Sequence, residues 1–129
     1  MTDATLKLRL ATLLTALGRL DAALAAQKSE WTRDSAIQRF EFTFELAWKA
    51  VALLAREEGV DAYSPREALR TAHRLGWVED DNLWLDMLDA RNRTSHTYDE
   101  ATAEAIFDRL PGYAAALRAL HARLAAMTQ

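Results

Sequence analysis

An all-α bundle is the fold class that this sequence predicts, on three observations. Twenty-six Ala and 20 Leu stand against three Val and two Ile, which leaves little of the β-branched material that strands use. Near the N-terminus, leucines recur at alternating steps of four and three, the seam of a helix packed at a shallow angle against its neighbours. The same rhythm returns near the C-terminus, so the chain reads as an antiparallel bundle of four to five helices.

Leu6, Leu10, Leu13, Leu17, Leu20 and Leu24 form the seam of the first helix. From about residue 33 to residue 58 the chain is apolar on more than one side: Phe40, Phe44, Ala47, Val51 and Leu54 make one stripe, and Phe42, Leu46 and Leu53 another. One stripe serves the bundle core and the other needs its own cover. This helix is therefore either central in the protomer or also lines a subunit interface, and its aromatic content fits an interface, so a homodimer is expected. Gly59 ends it as the residue beyond a C-cap. Ser64-Pro65-Arg66-Glu67 starts the next helix, with Ser as N-cap, Pro at the first helical position and Glu closing a capping box. That short helix runs to about residue 75, where Gly76 stops it, and Asp80 or Asp81 caps its successor, which carries Leu83, Trp84, Met87, Leu88 and Arg91. Thr97-Tyr98-Asp99-Glu100 has the pattern of a fresh N-cap with its Glu three residues on, which places a break just after Ser95 or His96. Ile106, Leu110, Tyr113, Leu117, Leu120, Leu124 and Met127 make the last seam, expected to face the first, and Pro111-Gly112 within it predicts a kink without a full stop.

The 129 residues allow one domain, residues 1–129, that buries roughly two-thirds of its unfolded surface. No internal repeat, linker or low-complexity tract divides it. A formal charge of −3 gives no global pull toward a polyanion, so any such contact is local. With no cysteine, a disulfide framework and a thiolate metal site are excluded, which fits a reducing cytoplasm. The stretch Met1-Thr2-Asp3-Ala4 opens without a signal-peptide core, and no run of about 18 apolar residues spans a bilayer, so no membrane is expected and a cytoplasmic location is.

The residues that carry chemistry are Arg91-Asn92-Arg93-Thr94-Ser95-His96-Thr97-Tyr98, which gather two cations, an imidazole and a phenol in an otherwise Ala/Leu-rich chain. In an ideal helix Arg91 and His96 are separated by about 140° around the axis and do not converge; with a helix end between them they are free to. Cleavage of an RNA phosphodiester needs a base for the 2′-hydroxyl, an acid for the departing 5′-oxygen, and positive charge at the phosphorus. Arg91 offers a planar cation that grips phosphate with two donors, and His96 a group that takes or gives a proton near neutrality. One chain holds one such imidazole, and a two-fold dimer holds two, one as base and one as acid. No carboxylate or histidine set has metal-ligand spacing, and no cofactor is expected. A bland reading stands beside this one: a helix-terminal Arg or His also serves carbonyls and the helix dipole, and Arg91 has Asp86 and Asp89 close in sequence as partners. His73 and His121 read as surface or boundary residues, and Glu79-Asp80-Asp81 as a helix-starting charge run. The four tryptophans read as core or interface, with Trp77 and Trp84 as an alternative stacking surface.

The motif Arg-x4-His-x-Tyr, here Arg91, His96 and Tyr98, occurs with Arg39-Phe40-Glu41-Phe42-Thr43-Phe44-Glu45-Leu46-Ala47-Trp48-Lys49 and with Leu88-Asp89-Ala90-Arg91-Asn92. In this order the three resemble the HepT-like branch of the HEPN superfamily, proteins described as substrate-binding subunits of minimal nucleotidyltransferases. The resemblance covers nearly the whole chain. It implies a helical-bundle homodimer that acts as a metal-independent ribonuclease toxin, paired with a minimal nucleotidyltransferase antitoxin. It also implies that Arg91 and His96 are the catalytic pair, Asn92 a phosphate-positioning neighbour, and Tyr98 the acceptor of AMP. A nucleotidyl group on Tyr98 would add negative charge and bulk beside Arg91 and His96 and so block RNA. The chain itself has no glycine-rich nucleotide loop or acidic metal pair, so the partner must bring that chemistry. Two other readings are a non-catalytic adaptor that presents a nucleotide or acceptor to the nucleotidyltransferase, which the negative net charge favours, and a structural module for oligomerisation alone.

Overall fold

Five α-helices and one short 3₁₀ turn make up the described residues, with no strand among them. The structure is a computed structural model that describes residues 2–128, Thr2 and Asp3 by backbone alone; Met1, the first residue of the stretch searched for a leader, and Gln129 lie outside the described residues. The helices are α1 (Thr2–Ala25), α2 (Glu30–Glu57), α3 (Pro65–Arg74), α4 (Asp81–Asn92) and α5 (Glu100–Ala126), with the 3₁₀ turn at Thr94–His96.

The central post is α2, which packs on α1, α3 and α5 and also touches α4 and the 3₁₀ turn. It starts ahead of its apolar stripe because Ser29 and Thr32 form a capping box: the Thr32 N–H donates to Ser29 Oγ at 3.1 Å, and the Ser29 N–H to Thr32 Oγ1 at 2.7 Å. Phe40, Phe44, Ala47, Val51 and Leu54 are buried as their spacing predicts, whereas Phe42, Leu46 and Leu53 stay partly exposed. The seams of α1 and α5 lie against each other and against α2. Each leucine so removed from water contributes on the order of 2 kcal/mol of transfer free energy. Met127 departs from the predicted seam: α5 ends at Ala126, and Met127 is its partly exposed C-cap. Through Pro111, on its exposed side, α5 runs without interruption.

An aromatic centre joins α2 to α5, where Phe40 stacks on Tyr113 with ring centroids 5.3 Å apart and meets Phe44 at 6.1 Å. The Tyr113 hydroxyl donates to Asp86 Oδ2 on α4 at 2.5 Å. Burial, reinforced by that carboxylate, pushes the phenol's pKa above its ordinary value.

Gly59 and Gly76 stop their helices at positive φ, 82° and 79°. After each, the following N–H reaches back into the last turn, Val60 to the Ala55 carbonyl at 2.9 Å and Trp77 to the Ala72 carbonyl at 2.8 Å, the Schellman arrangement. Ser64 caps α3 by accepting the Glu67 N–H at 3.2 Å, but the Glu67 carboxylate meets the N–H of Tyr63 at 3.4 Å rather than that of Ser64. Asp80 caps α4 through the Leu83 N–H at 3.0 Å. The turn after Gly76 folds Trp77 inward beside Trp84, and both are buried, so they form no stacking surface; Trp31 is exposed and Trp48 half-buried. Among the described residues, no helix is long and apolar enough to cross a membrane.

Candidate active site

The corner between α4 and α5 is built by backbone satisfaction. The helix α4 ends at Asn92, earlier than the break expected after Ser95 or His96, because the Arg93 N–H is shared between the Asp89 and Ala90 carbonyls at 3.2 and 3.0 Å and the chain tightens into the 3₁₀ turn. The Thr94 hydroxyl anchors that turn, lying 2.5 Å from Glu41 Oε2 of α2 and 2.8 Å from the Arg91 carbonyl. The N-cap of α5 is Asp99 and not Thr97. Its carboxylate accepts both the hydroxyl and the N–H of Thr102, at 2.7 and 3.2 Å, and an ionised acceptor makes the stronger cap. Those two bonds hold the Asp99 carboxyl below its ordinary pKa.

Arg91, in the last turn of α4, keeps 29% of its side chain exposed. Its Nη2 is paired with Glu45 Oε1 of α2, and its Nη1 donates to Asn92 Oδ1 at 3.1 Å. The other Glu45 oxygen accepts the Trp48 indole N–H at 2.5 Å. Asp86 and Asp89, the partners suggested by proximity in sequence, do not hold Arg91. At separations of five and two they sit about 140° and 160° away around the helix. Asp86 instead takes Arg109 at 2.9 Å along with Tyr113, and Asp89 takes Arg93 at 3.4 Å.

His96 closes the 3₁₀ turn with an exposed imidazole that makes no hydrogen bond among the described residues. Tyr98 is 83% exposed, and its ring stands edge-on to that of His96, with centroids 6.0 Å apart and planes at 69°. One corner therefore presents Arg91 with Asn92 on its helical side, and His96 with Tyr98 on its turn side.

The residues that sequence reasoning passed over are Glu41 and Glu45. The signal was present: two carboxylates four positions apart share a helix face, here the face that receives the end of α4. Arg33 was also unassigned. It is almost wholly buried, donates to both Glu100 oxygens at 2.7 and 3.2 Å, and reaches Glu104 at 3.3 Å and Asp34 at 3.0 Å, so it fastens the first turns of α5 to α2. Arg33 holds the Glu100 carboxyl below its usual pKa, and Lys28 followed by Arg33 does so for Glu104; those carboxylates in turn raise the Arg33 pKa. His73 is exposed, and His121 is half-buried with Nε2 3.1 Å from the Leu10 carbonyl, the boundary placements their surroundings predict. Among the described residues, no group of three or more His, Asp or Glu side chains is placed to hold a metal ion.

The fold defines a class: all-α bundles built like a domain described as the substrate binding domain of a nucleotidyltransferase. The chain belongs to the family of nucleotidyltransferase substrate binding protein-like proteins, which it matches over residues 8–126. It is 35% identical over 83 residues to "Probable ribonuclease HepT" of Haemophilus influenzae, a match covering 60% of this chain and only 57% of that relative's length. A solved structure from Thermus thermophilus is similar at a TM-score of 0.83 and 42% identity, covering 87% of this chain and 98% of the other. Another, from Haemophilus influenzae and described as revealing the fold of a substrate binding domain of a nucleotidyltransferase, is similar at a TM-score of 0.70 and 26% identity, covering 95% and 98%.

Proposed function

We propose that this chain is a metal-independent endoribonuclease toxin of a type VII-like toxin–antitoxin pair. In this reading Arg91 and His96 form a site completed across the two-fold of a homodimer. Tyr98 is the residue to which a minimal nucleotidyltransferase antitoxin adds AMP. The observation that carries the reading is the division of labour at the corner: a guanidinium steadied from behind by Glu45 at the end of α4, and, in the turn that follows, an exposed imidazole and phenol that make no hydrogen bond among the described residues. The similarity to a protein called a probable ribonuclease supports it. The 2′-oxygen of a bound RNA attacks the adjacent phosphorus and the 5′-oxygen departs. One imidazole takes the 2′ proton, and the same residue of the second protomer protonates the leaving oxygen. Arg91 neutralises the phosphorane through the N–H groups that Glu45 and Asn92 leave unused. Because Asn92 Oδ1 faces Arg91, its amide N–H groups are available to a phosphate oxygen. Phe42 and Leu46, on the uncovered stripe of α2, suit the second protomer. In the silencing step the Tyr98 oxygen bonds to the α-phosphorus of ATP as pyrophosphate leaves, which sets a phosphodiester's negative charge beside His96.

The test is RNA cleavage in EDTA by the unsubstituted chain, Arg91→Ala and His96→Ala, followed by intact-mass analysis after incubation with the antitoxin and ATP. Cleavage is expected to fall at least a hundredfold in each variant. AMP additions are expected on the chain and absent from Tyr98→Phe. Undiminished cleavage by the doubly substituted protein would falsify the reading.

The family description favours a second reading, a non-catalytic substrate-binding subunit of a nucleotidyltransferase. The same corner then holds a nucleotide or acceptor for the partner enzyme. Binding to that partner with RNA left intact selects it.

A further inference from the structure

One to three turns beyond Glu45, α2 carries Trp48, Lys49 and Arg56, and the loop that follows brings Tyr63 back to the same side. With Arg9 of α1 they line an open hollow of about 250 Å³. That is just below the roughly 300–1,000 Å³ of ordinary small-molecule pockets, room for part of a ligand with the rest in solvent.

Three of the lining residues are cations and none is Asp or Glu. In a chain of net charge −3 this is a local reversal of sign. Arg9, Lys49 and Arg56 have no carboxylate partner among the described residues, a condition they share with other cations of the chain; what sets them apart is that they converge on one hollow. Arg9 is the sharper case, because its Nε is buried without any hydrogen-bond partner. A buried N–H left unpaired is costly, and water or an acceptor group in the hollow would satisfy it. The hollow also holds rings: Lys49 Nζ lies 5.9 Å from the centre of the Trp48 ring, and Tyr63 is 71% exposed at the rim. Unpaired cations beside an exposed aromatic ring are the chemistry that takes a phosphate and its base together.

We infer that this hollow binds one nucleotide unit, its phosphate among Arg9, Lys49 and Arg56 and its base on the ring of Tyr63. A two-fold contact between copies centred here would bring the unpaired cations of both together, so a second protomer suits the Phe42 and Leu46 end of the helix and the cationic end stays open. Trp48 joins the hollow to the corner, since its indole N–H bonds the carboxylate that holds Arg91. A strand with its scissile phosphate at Arg91 has a place here for a neighbouring nucleotide. That continuity rests on the ribonuclease reading; the binding does not.

The experiment is fluorescence anisotropy of a labelled 2′-O-methyl oligouridylate, which cannot be cleaved, with the full chain in EDTA at several salt concentrations. Binding is expected to weaken with salt. Lys49→Ala/Arg56→Ala is expected to lower affinity about tenfold and to flatten the salt dependence, and Tyr63→Ala to lower it roughly five- to tenfold. Competition by AMP identifies a free nucleotide as a sufficient ligand, and oligonucleotide binding that AMP does not displace identifies a chain-borne one; both support the subsite. Equal affinity of the double variant and the unsubstituted chain overturns it, as does failure to bind either probe. RNA cleavage by the unsubstituted chain separates the two readings: a chain that binds through Lys49 and Arg56 yet never cuts RNA sinks catalysis and keeps the subsite. Cleavage at unchanged KM by a double variant that binds normally does the reverse.

Discussion

Arg33 and Arg91 each tie α2 to a later helix, and they do it differently. Arg33 is 4% exposed at its side chain and faces Asp34, Glu100 and Glu104. Arg91 is 29% exposed and faces one carboxylate and one amide. A guanidinium has five N–H groups in a fixed fork. Around Arg33 the fork is enclosed by acids, and nothing further can approach it. Around Arg91 part of the fork opens to solvent. The lesson is that the number of partners and the open edge, more than the residue type, separate an arginine that holds the fold from one that can hold a ligand.

The contrast is broken most directly at Glu45. Under the ribonuclease reading, Glu45→Gln removes the charge that steadies Arg91, and kcat is expected to fall about tenfold with a smaller change in KM and a Tm within roughly 2 °C of the parent. Cleavage and Tm falling together would make Glu45 architectural, as Arg33 is. The opposite outcome is expected of Arg33→Met, in which Tm drops by roughly 5 °C while cleavage well below the transition is kept.

Acid sharpens the same comparison. Glu100 and Glu104 have folded-state pKa values held below their ordinary ones, so their contribution is present in full above the unfolded carboxylate range and is lost as pH falls through the folded values. The Tm gap between the parent and Arg33→Met should therefore hold steady at neutral pH and close on acidification below about pH 4, the ordinary range of a glutamate. A gap that instead widened in acid would sink the tie. The smallest effect is expected of Ser29→Ala, which removes the cap of α2 just before Arg33 and should cost about 1 kcal/mol in thermal or urea unfolding.

The helices were legible because their signals are local. The four/three seams of α1 and α5, Ser64-Pro65 and the two glycines each act within a turn or two of chain, and the structure places them as read apart from Met127, which falls beyond the end of its seam. The start of α5 went astray because the cap was read at Thr97, whereas the Asp99 carboxylate, with two Thr102 donors to accept, takes that place. Ser29-Thr32 was missed because its box lacks the Glu or Gln that usually marks one. The candidate site was half legible. Arg91, His96 and Tyr98 are close in sequence and could be named together as candidates, but what holds Arg91 lies 46 residues away on another helix, so neighbours in the string were preferred to neighbours in space. Trp77 and Trp84 were open to either reading because a ring's burial depends on how the turn after Gly76 folds, which composition does not carry.

Pro111 has a mechanical consequence. Lacking an N–H, it cannot close the rung to the carbonyl of Phe107, so the 27-residue α5 is missing a backbone bond near its middle, on a side where water can replace it. The two halves are fastened elsewhere: the first to α2 by Arg33, the second to α1 by Arg118 with Asp21 and by His121 with the Leu10 carbonyl. The Tyr98 end of α5 and its far end on α1 thus have separate anchors, with the missing rung between them.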